Sequence, residues 1–250
     1  QTGTARIGRQ SRQAGRCRSR HSAAKRAACV GHHWAGPCRL YAGGHSQCGS
    51  VKIPLISPGG TQPDITVDIR ANEVYQYMFR AAFIDASQGR AMADYARHNL
   101  QAGKAAVFYY PDKMYAQGLA EYFRSAFLAS GGEVPIFRDV SDPNDLVRAI
   151  SELKAAGIDV IYLPGYDDWT IPAIKVLRSQ GISMPLLGPD GWNSLKMEKD
   201  IDGQYLTNLY YTDHYAGNES SDTARQFSRA YYEKYGVLPD GYAASATMPL

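Results

Sequence analysis

Four short segments of this chain gather residue types able to hold a small polar molecule. They are Ser57-Pro58-Gly59-Gly60-Thr61, Tyr110 to Tyr115, Pro164-Gly165-Tyr166-Asp167-Asp168 and Gly188-Pro189-Asp190-Gly191-Trp192. Hydroxyls, bare backbone, aromatic rings and single carboxylates suit a small polar ligand held by hydrogen bonds between aromatic walls. No lysine cluster and no nucleophile–base pair accompanies them. No G-x-G-x-x-G opens a helix after a strand, and no P-loop, G-x-S-x-G or H-E-x-x-H occurs, so an enzyme is not expected. A different chemistry is suggested near the start, where Cys29-x-x-His32 and His45-x-x-Cys48 have the spacing of zinc ligands.

The elements that must position the four segments recur along the chain from Val51 onward: amphipathic helix, glycine, short apolar strand. Residues 88–102 place Met92, Tyr95, Ala96 and Leu100 on one helical face; Gly103 is expected to end that helix before a strand at 105–110. A helix over 114–130 carries a stripe of Leu119, Tyr122, Phe123 and Phe127, stops at Gly131-Gly132 and leads into the apolar run at 134–137. Ser141-Asp142-Pro143 is a helix start signal for 143–156, which Gly157 ends before the strand-like run at 158–164. A helix over 168–180 stops at Gly181 before 184–189, and one over 221–235 stops at Gly236. Strands alternating with 12–16-residue helices predict the α/β class, with βαβ units and parallel sheets flanked by helices on both faces. In such sheets ligands bind beyond the carboxyl ends of the strands, where the four segments fall.

Five strings carry a resemblance: IPLISPGGTQPDIT (53–66), FRAAFIDASQG (79–89), YPDKMYAQGLA (110–120), DVIYLPGYDD (159–168) and PLLGPDGW (185–192). In this order and spacing, over roughly residues 51–244, they resemble the branched-chain amino-acid-binding proteins of ABC importers, which have the type I periplasmic binding fold. The resemblance implies two lobes that close on an amino acid, with 51–85 and 213–250 as parts of an incomplete first lobe and 86–212 as the second. It implies a periplasmic monomer that delivers its ligand to a membrane permease, with no cofactor, metal or nucleic acid. It places the ligand carboxylate at Gly59, Gly60 and Thr61, through backbone N–H groups and the Thr61 hydroxyl, where glycines let the backbone come close. Asp190 falls where the family pairs an acidic residue, often Glu, with the ligand's ammonium; without the resemblance, Pro189-Asp190-Gly191 reads as an ordinary turn. Tyr115 and Tyr166 match tyrosines that reach in from the second lobe. Trp34 resembles the first-lobe residue lining the side-chain pocket, and Ala35 stands where many members have Ser. The Asp167-Asp168 pair could favour a polar or basic ligand, but a solvated helix N-terminus is the better reading. A sensory domain of the same fold would use the same pocket without an importer.

The chain carries a net charge of +3, but residues 1–50 hold nine Lys and Arg and no Asp or Glu, while the other 200 hold all 24 acids. All four cysteines (Cys17, Cys29, Cys38, Cys48) and four of the six histidines also fall in the first fifty. A basic nucleic-acid arm and a metal site are two readings of this segment. The reading that fits its lack of apolar periodicity is out-of-frame coding, in part disordered as protein. One choice of codons for 38–50, shifted by one base, spells AGSTQAAIRNAG, a family-like string, and a lost base would account for 245–250 in the same way. The opening QTGTARIGRQ has no apolar core, so a signal peptide is expected to be absent or removed. No stretch approaches the roughly 18 apolar residues that span a bilayer.

Overall fold

The computed structural model describes residues 52, 54–192, 202–215 and 221–247. The expectations placed on residues 1–50, including Trp34, Ala35 and the Cys/His spacings, lie outside the described residues. The chain divides into Gln1–Ala35 and Gly36–Leu250, and all the described residues belong to the second unit.

The main sheet is five-stranded and wholly parallel. Its strands are β5 (Lys104–Tyr109), β6 (Glu133–Asp139), β7 (Val160–Tyr162), β8 (Leu186–Gly188) and β9 (Leu209–Tyr211), in the order β6-β5-β7-β8-β9. Earlier in the chain, β1 (Leu55–Ser57) pairs in parallel with β4 (Met78–Arg80), and β2 (Val67–Asp68) forms an antiparallel ribbon with β3 (Glu73–Val74). The helices are α1 (Asp85–His98), α2 (Met114–Ala129), α3 (Ile150–Ala156), α4 (Asp167–Ser179), α5 (Asp222–Tyr235) and α6 (Gly241–Thr247).

Side chains alternate across the large sheet as the two-residue strand period requires. Ala106 and Phe108 of β5, Ile161 of β7 and Leu186 of β8 join Leu146, Leu153, Trp169, Ile174 and Leu177 beneath α3 and α4. Their neighbours Ala105, Val107, Val160, Tyr162 and Leu187 face the other way, into Met92, Leu119, Phe123 and Phe127 of α1 and α2. Burial on both faces explains why these strands read as unbroken apolar runs.

Three local expectations are corrected. The first helix starts at Asp85 and ends at His98, not at Gly103. Arg97 Nη2 bonds to the Ser130 carbonyl, and Gln101 rather than Gly103 takes the left-handed turn, at φ 54°. Residues 143–156 are not one α-helix: Pro143–Ala149 forms a 3₁₀ segment capped by the Asp142 carboxylate, and only α3 is α-helical. Tight 3₁₀ turns are common at helix N-termini, and here the segment places Leu146 and Ala149 three apart in the core. Tyr122 does not share the buried stripe of α2; it is 37% exposed, while Leu119, Phe123 and Phe127 are fully buried. The expected glycine stops at Gly157 and Gly236 hold, each at positive φ (63° and 72°), where a side chain would be strained. Strand β9 is too short and too exposed to have left a sequence signal.

Candidate functional site

The carboxyl ends of β1, β5, β7 and β8 all lead into the segments that sequence singled out. After β1 the chain turns sharply, with the buried Ser57 Oγ accepting the Gly60 amide at 2.9 Å. The turn is clamped from below by Arg80, at the end of β4. Its guanidinium donates to the carbonyls of Gly60 (3.3 Å), Gln62 (2.9 Å) and Pro63 (3.0 Å) and to Thr66 Oγ1 (2.7 Å). With carbonyls drawn toward Arg80, the buried residues Gly59 and Thr61 donate no amide hydrogen bond to another described residue. Buried amides are almost always paired in proteins, so two without a partner among the described residues are candidates for holding an acceptor.

Opposite this loop stands Asp190, 2% exposed, in the turn after β8. Its Oδ1 accepts from Gln88 Nε2 at 3.0 Å and from the Tyr115 hydroxyl. Its Oδ2 faces His214 Nε2 at 3.0 Å and the Tyr242 hydroxyl at 3.4 Å. The Gln88 amide also donates to Asp85 Oδ1 at 3.2 Å, while its carbonyl accepts the Asp190 amide at 3.1 Å and the Thr212 hydroxyl at 2.7 Å. Tyr242 spans the gap between the two walls: a Cβ on Gly59 would lie 2.5 Å from its ring. Only glycine permits that approach.

Aromatic rings close the sides. Tyr115 and Tyr166 stack at 4.7 Å, and His214 stacks on Phe83 at 4.1 Å. Gly191 N–H donates to the Tyr115 oxygen at 3.2 Å, so that hydroxyl is fixed from both sides. Burial, followed by the Asp190 charge, pushes the Tyr115 hydroxyl well above its ordinary range and keeps it a neutral donor.

Asp85, at the start of α1, is also 2% exposed. Burial pushes its carboxyl up to about 6, and the Asp190 charge adds to the rise; hydrogen bonds from Thr61 and Gln88 and the charge of Arg80 oppose it. The Thr61 hydroxyl thus serves Asp85. Beneath both acids the Tyr162 hydroxyl is buried without a hydrogen-bond partner among the described residues.

Of the residues expected from sequence, Gly59, Thr61, Tyr115, Tyr166 and Asp190 are linked into one constellation through Tyr242, Asp85 and Gln88. Gly60 belongs to the loop, but its amide is spent on Ser57. Asp167 and Asp168 form the first turn of α4, the helix-start alternative. Sequence reasoning missed Arg80, Asp85, Gln88, His214 and Tyr242. The first three sit inside the string FRAAFIDASQG with no motif to mark them. His214 could have been noticed as one of only two histidines beyond the first fifty residues. A shallow depression lined by Tyr110, Lys113, Ser141, Gly165, Tyr166 and Asp168 lies nearby and shares Tyr166 with the site, but none of its charged groups is buried.

The sequence profile of the family described as "Periplasmic binding protein" matches residues 49–248, most of the chain. This chain is a member of the periplasmic binding protein family. Among curated relatives, the leucine-specific-binding protein of Salmonella typhimurium is 27% identical over 140 residues, covering 56% of this binding protein and 36% of that one. The Leu/Ile/Val-binding protein homolog 3 of Brucella melitensis is 31% identical over 142 residues, with the same coverage. The matched part therefore spans little more than a third of these relatives. Among solved structures, the branched-chain amino acid transporter substrate binding protein LivJ from Streptococcus pneumoniae, in complex with isoleucine, superposes with a TM-score of 0.73 at 27% identity. That superposition covers 84% of this binding protein and 59% of LivJ. The type I periplasmic binding architecture expected from the sequence is thereby established.

Proposed function

We propose that this periplasmic binding protein captures an amino acid, branched-chain or related, for an ABC importer, by closing two lobes over it. Residues 51–85 with 213–250 supply one wall and 86–212 the other. The observation that carries the reading is the pair of buried residues Gly59 and Thr61, whose amides have no partner among the described residues, opposite the buried carboxylate of Asp190 with Tyr242 between them. In this reading a zwitterion lies between them, its carboxylate on the amides and its ammonium on Asp190 in place of the Tyr242 hydroxyl. Tyr242 and the stacked Tyr115 and Tyr166 enclose the aliphatic part. The named relatives include a leucine-specific-binding protein, a homolog of a Leu/Ile/Val-binding protein and a substrate binding protein in complex with isoleucine, which supports this ligand class. The proposed place of action is outside the cytoplasm, with a membrane permease as partner, and no bond is broken. Calorimetric titration of the purified chain with leucine, isoleucine and valine is expected to give Kd values in the micromolar range, about −8 kcal/mol. Failure of all twenty amino acids to bind would refute the proposal.

A further inference from the structure

Asp190 is saturated. A carboxylate has about four lone-pair positions, and here Gln88, Tyr115, His214 and Tyr242 fill all four. A ligand ammonium therefore meets an acid that has no vacant oxygen. The longest of the four contacts, Tyr242 at 3.4 Å, is the one an ammonium can displace at least cost. His214 is held differently. Its side chain is 3% exposed, its ring is stacked on Phe83, and its own amide donates to the Asp213 carboxylate at 2.6 Å. These contacts fix the His214 ring against Oδ2.

Resting on the proposed carboxylate cleft, we infer that His214 is a specificity-determining residue: by supplying a resident partner for Asp190, it frees the site from needing an α-ammonium on its ligand. The ligand class is then small aliphatic carboxylates with or without an amine. A cleft whose acid depended on the ligand's ammonium would leave a buried charge uncompensated when that ammonium is missing, and would discriminate by a factor of about 100 or more. With His214 in place the anion is held by the Gly59 and Thr61 amides, and the Asp190–His214 pair stays intact beside it.

The test is calorimetry of the full chain with two probes of equal carbon skeleton, leucine and 4-methylpentanoate. The inference expects the wild-type affinities to differ by less than about 10-fold. His214→Phe keeps the aromatic stack on Phe83 and removes the donor. It is expected to weaken 4-methylpentanoate by about 10-fold or more beyond whatever it costs leucine, because leucine brings its own donor. His214→Gln, which restores an N–H, is expected to recover much of the loss. If His214→Phe weakens both probes equally, or wild type rejects 4-methylpentanoate by more than about 100-fold, the role of His214 is overturned while amino-acid binding stands. Binding of 4-methylpentanoate without leucine overturns the amino-acid function and supports His214. Binding of neither overturns both. The wild-type comparison decides the matter even if a variant does not fold.

Discussion

Replacing Asp85 by Asn should change how stability varies with pH. Folding moves the Asp85 carboxyl from its ordinary 3.8 up to about 6, mainly because the group is taken out of water. At about 1.4 kcal/mol for each tenfold change, that rise corresponds to about 3 kcal/mol of instability once the group is ionised. Below pH 3.8 both folded and unfolded chains hold the proton, and there is no penalty. Between 3.8 and about 6 the folded chain binds more protons than the unfolded one, so stability falls as pH rises. Above about 6 the loss is complete. Asparagine occupies the same volume, still accepts from Gln88, and never ionises. Apart from Asp190, whose charge is coupled to Asp85, the other acidic groups keep their surroundings in the variant, so the difference between variant and wild type follows this group. Thermal unfolding at pH 4, 5, 6 and 7 should show Asp85→Asn gaining on wild type with rising pH. The gain should approach about 3 kcal/mol, which is about 6–12 °C for a chain of this size. A difference that stays flat across this range would refute the assignment of a buried, desolvated carboxylate at Asp85. Arg80 provides an internal check, since its charge holds the Asp85 carboxyl down.

Arg80→Met should destabilise the chain by about 2–3 kcal/mol, because it removes four hydrogen bonds to the Ser57–Thr66 stretch. The same variant should weaken carboxylate ligands as the Gly59 and Thr61 amides lose their orientation; urea unfolding and calorimetry measure the two effects. Tyr162→Phe should cost nothing or stabilise by up to about 1 kcal/mol, since the hydroxyl it removes is buried without a partner among the described residues. A loss of more than about 1 kcal/mol in urea unfolding would show that this hydroxyl makes a bond in solution.

The sequence by itself determined the α/β class and its sheet-and-helix rhythm. Strands buried on both faces must be apolar throughout, as the runs around Val107 and Ile161 are, and helices on those faces must carry an apolar stripe. Local chemistry also fixed where α3 and α5 end, because Gly157 and Gly236 adopt backbone angles that other residues reach only with strain. The loops after the strands were legible for the same reason, as glycine, proline and polar residues interrupt the periodicity there. What the sequence could not show is how those loops are wired together. Gln88 reaches Asp190 across 102 positions and Tyr242 reaches it across 52, with no local pattern linking either pair. Arg80 reads as a surface cation until β4 pairs with β1 and turns its guanidinium under the Gly60 carbonyl. His214 reads as an isolated polar residue until the segment after β9 carries it to Asp190. Tertiary structure alone decided these contacts, because hydrogen bonds between distant residues depend on where the sheet sets their backbones.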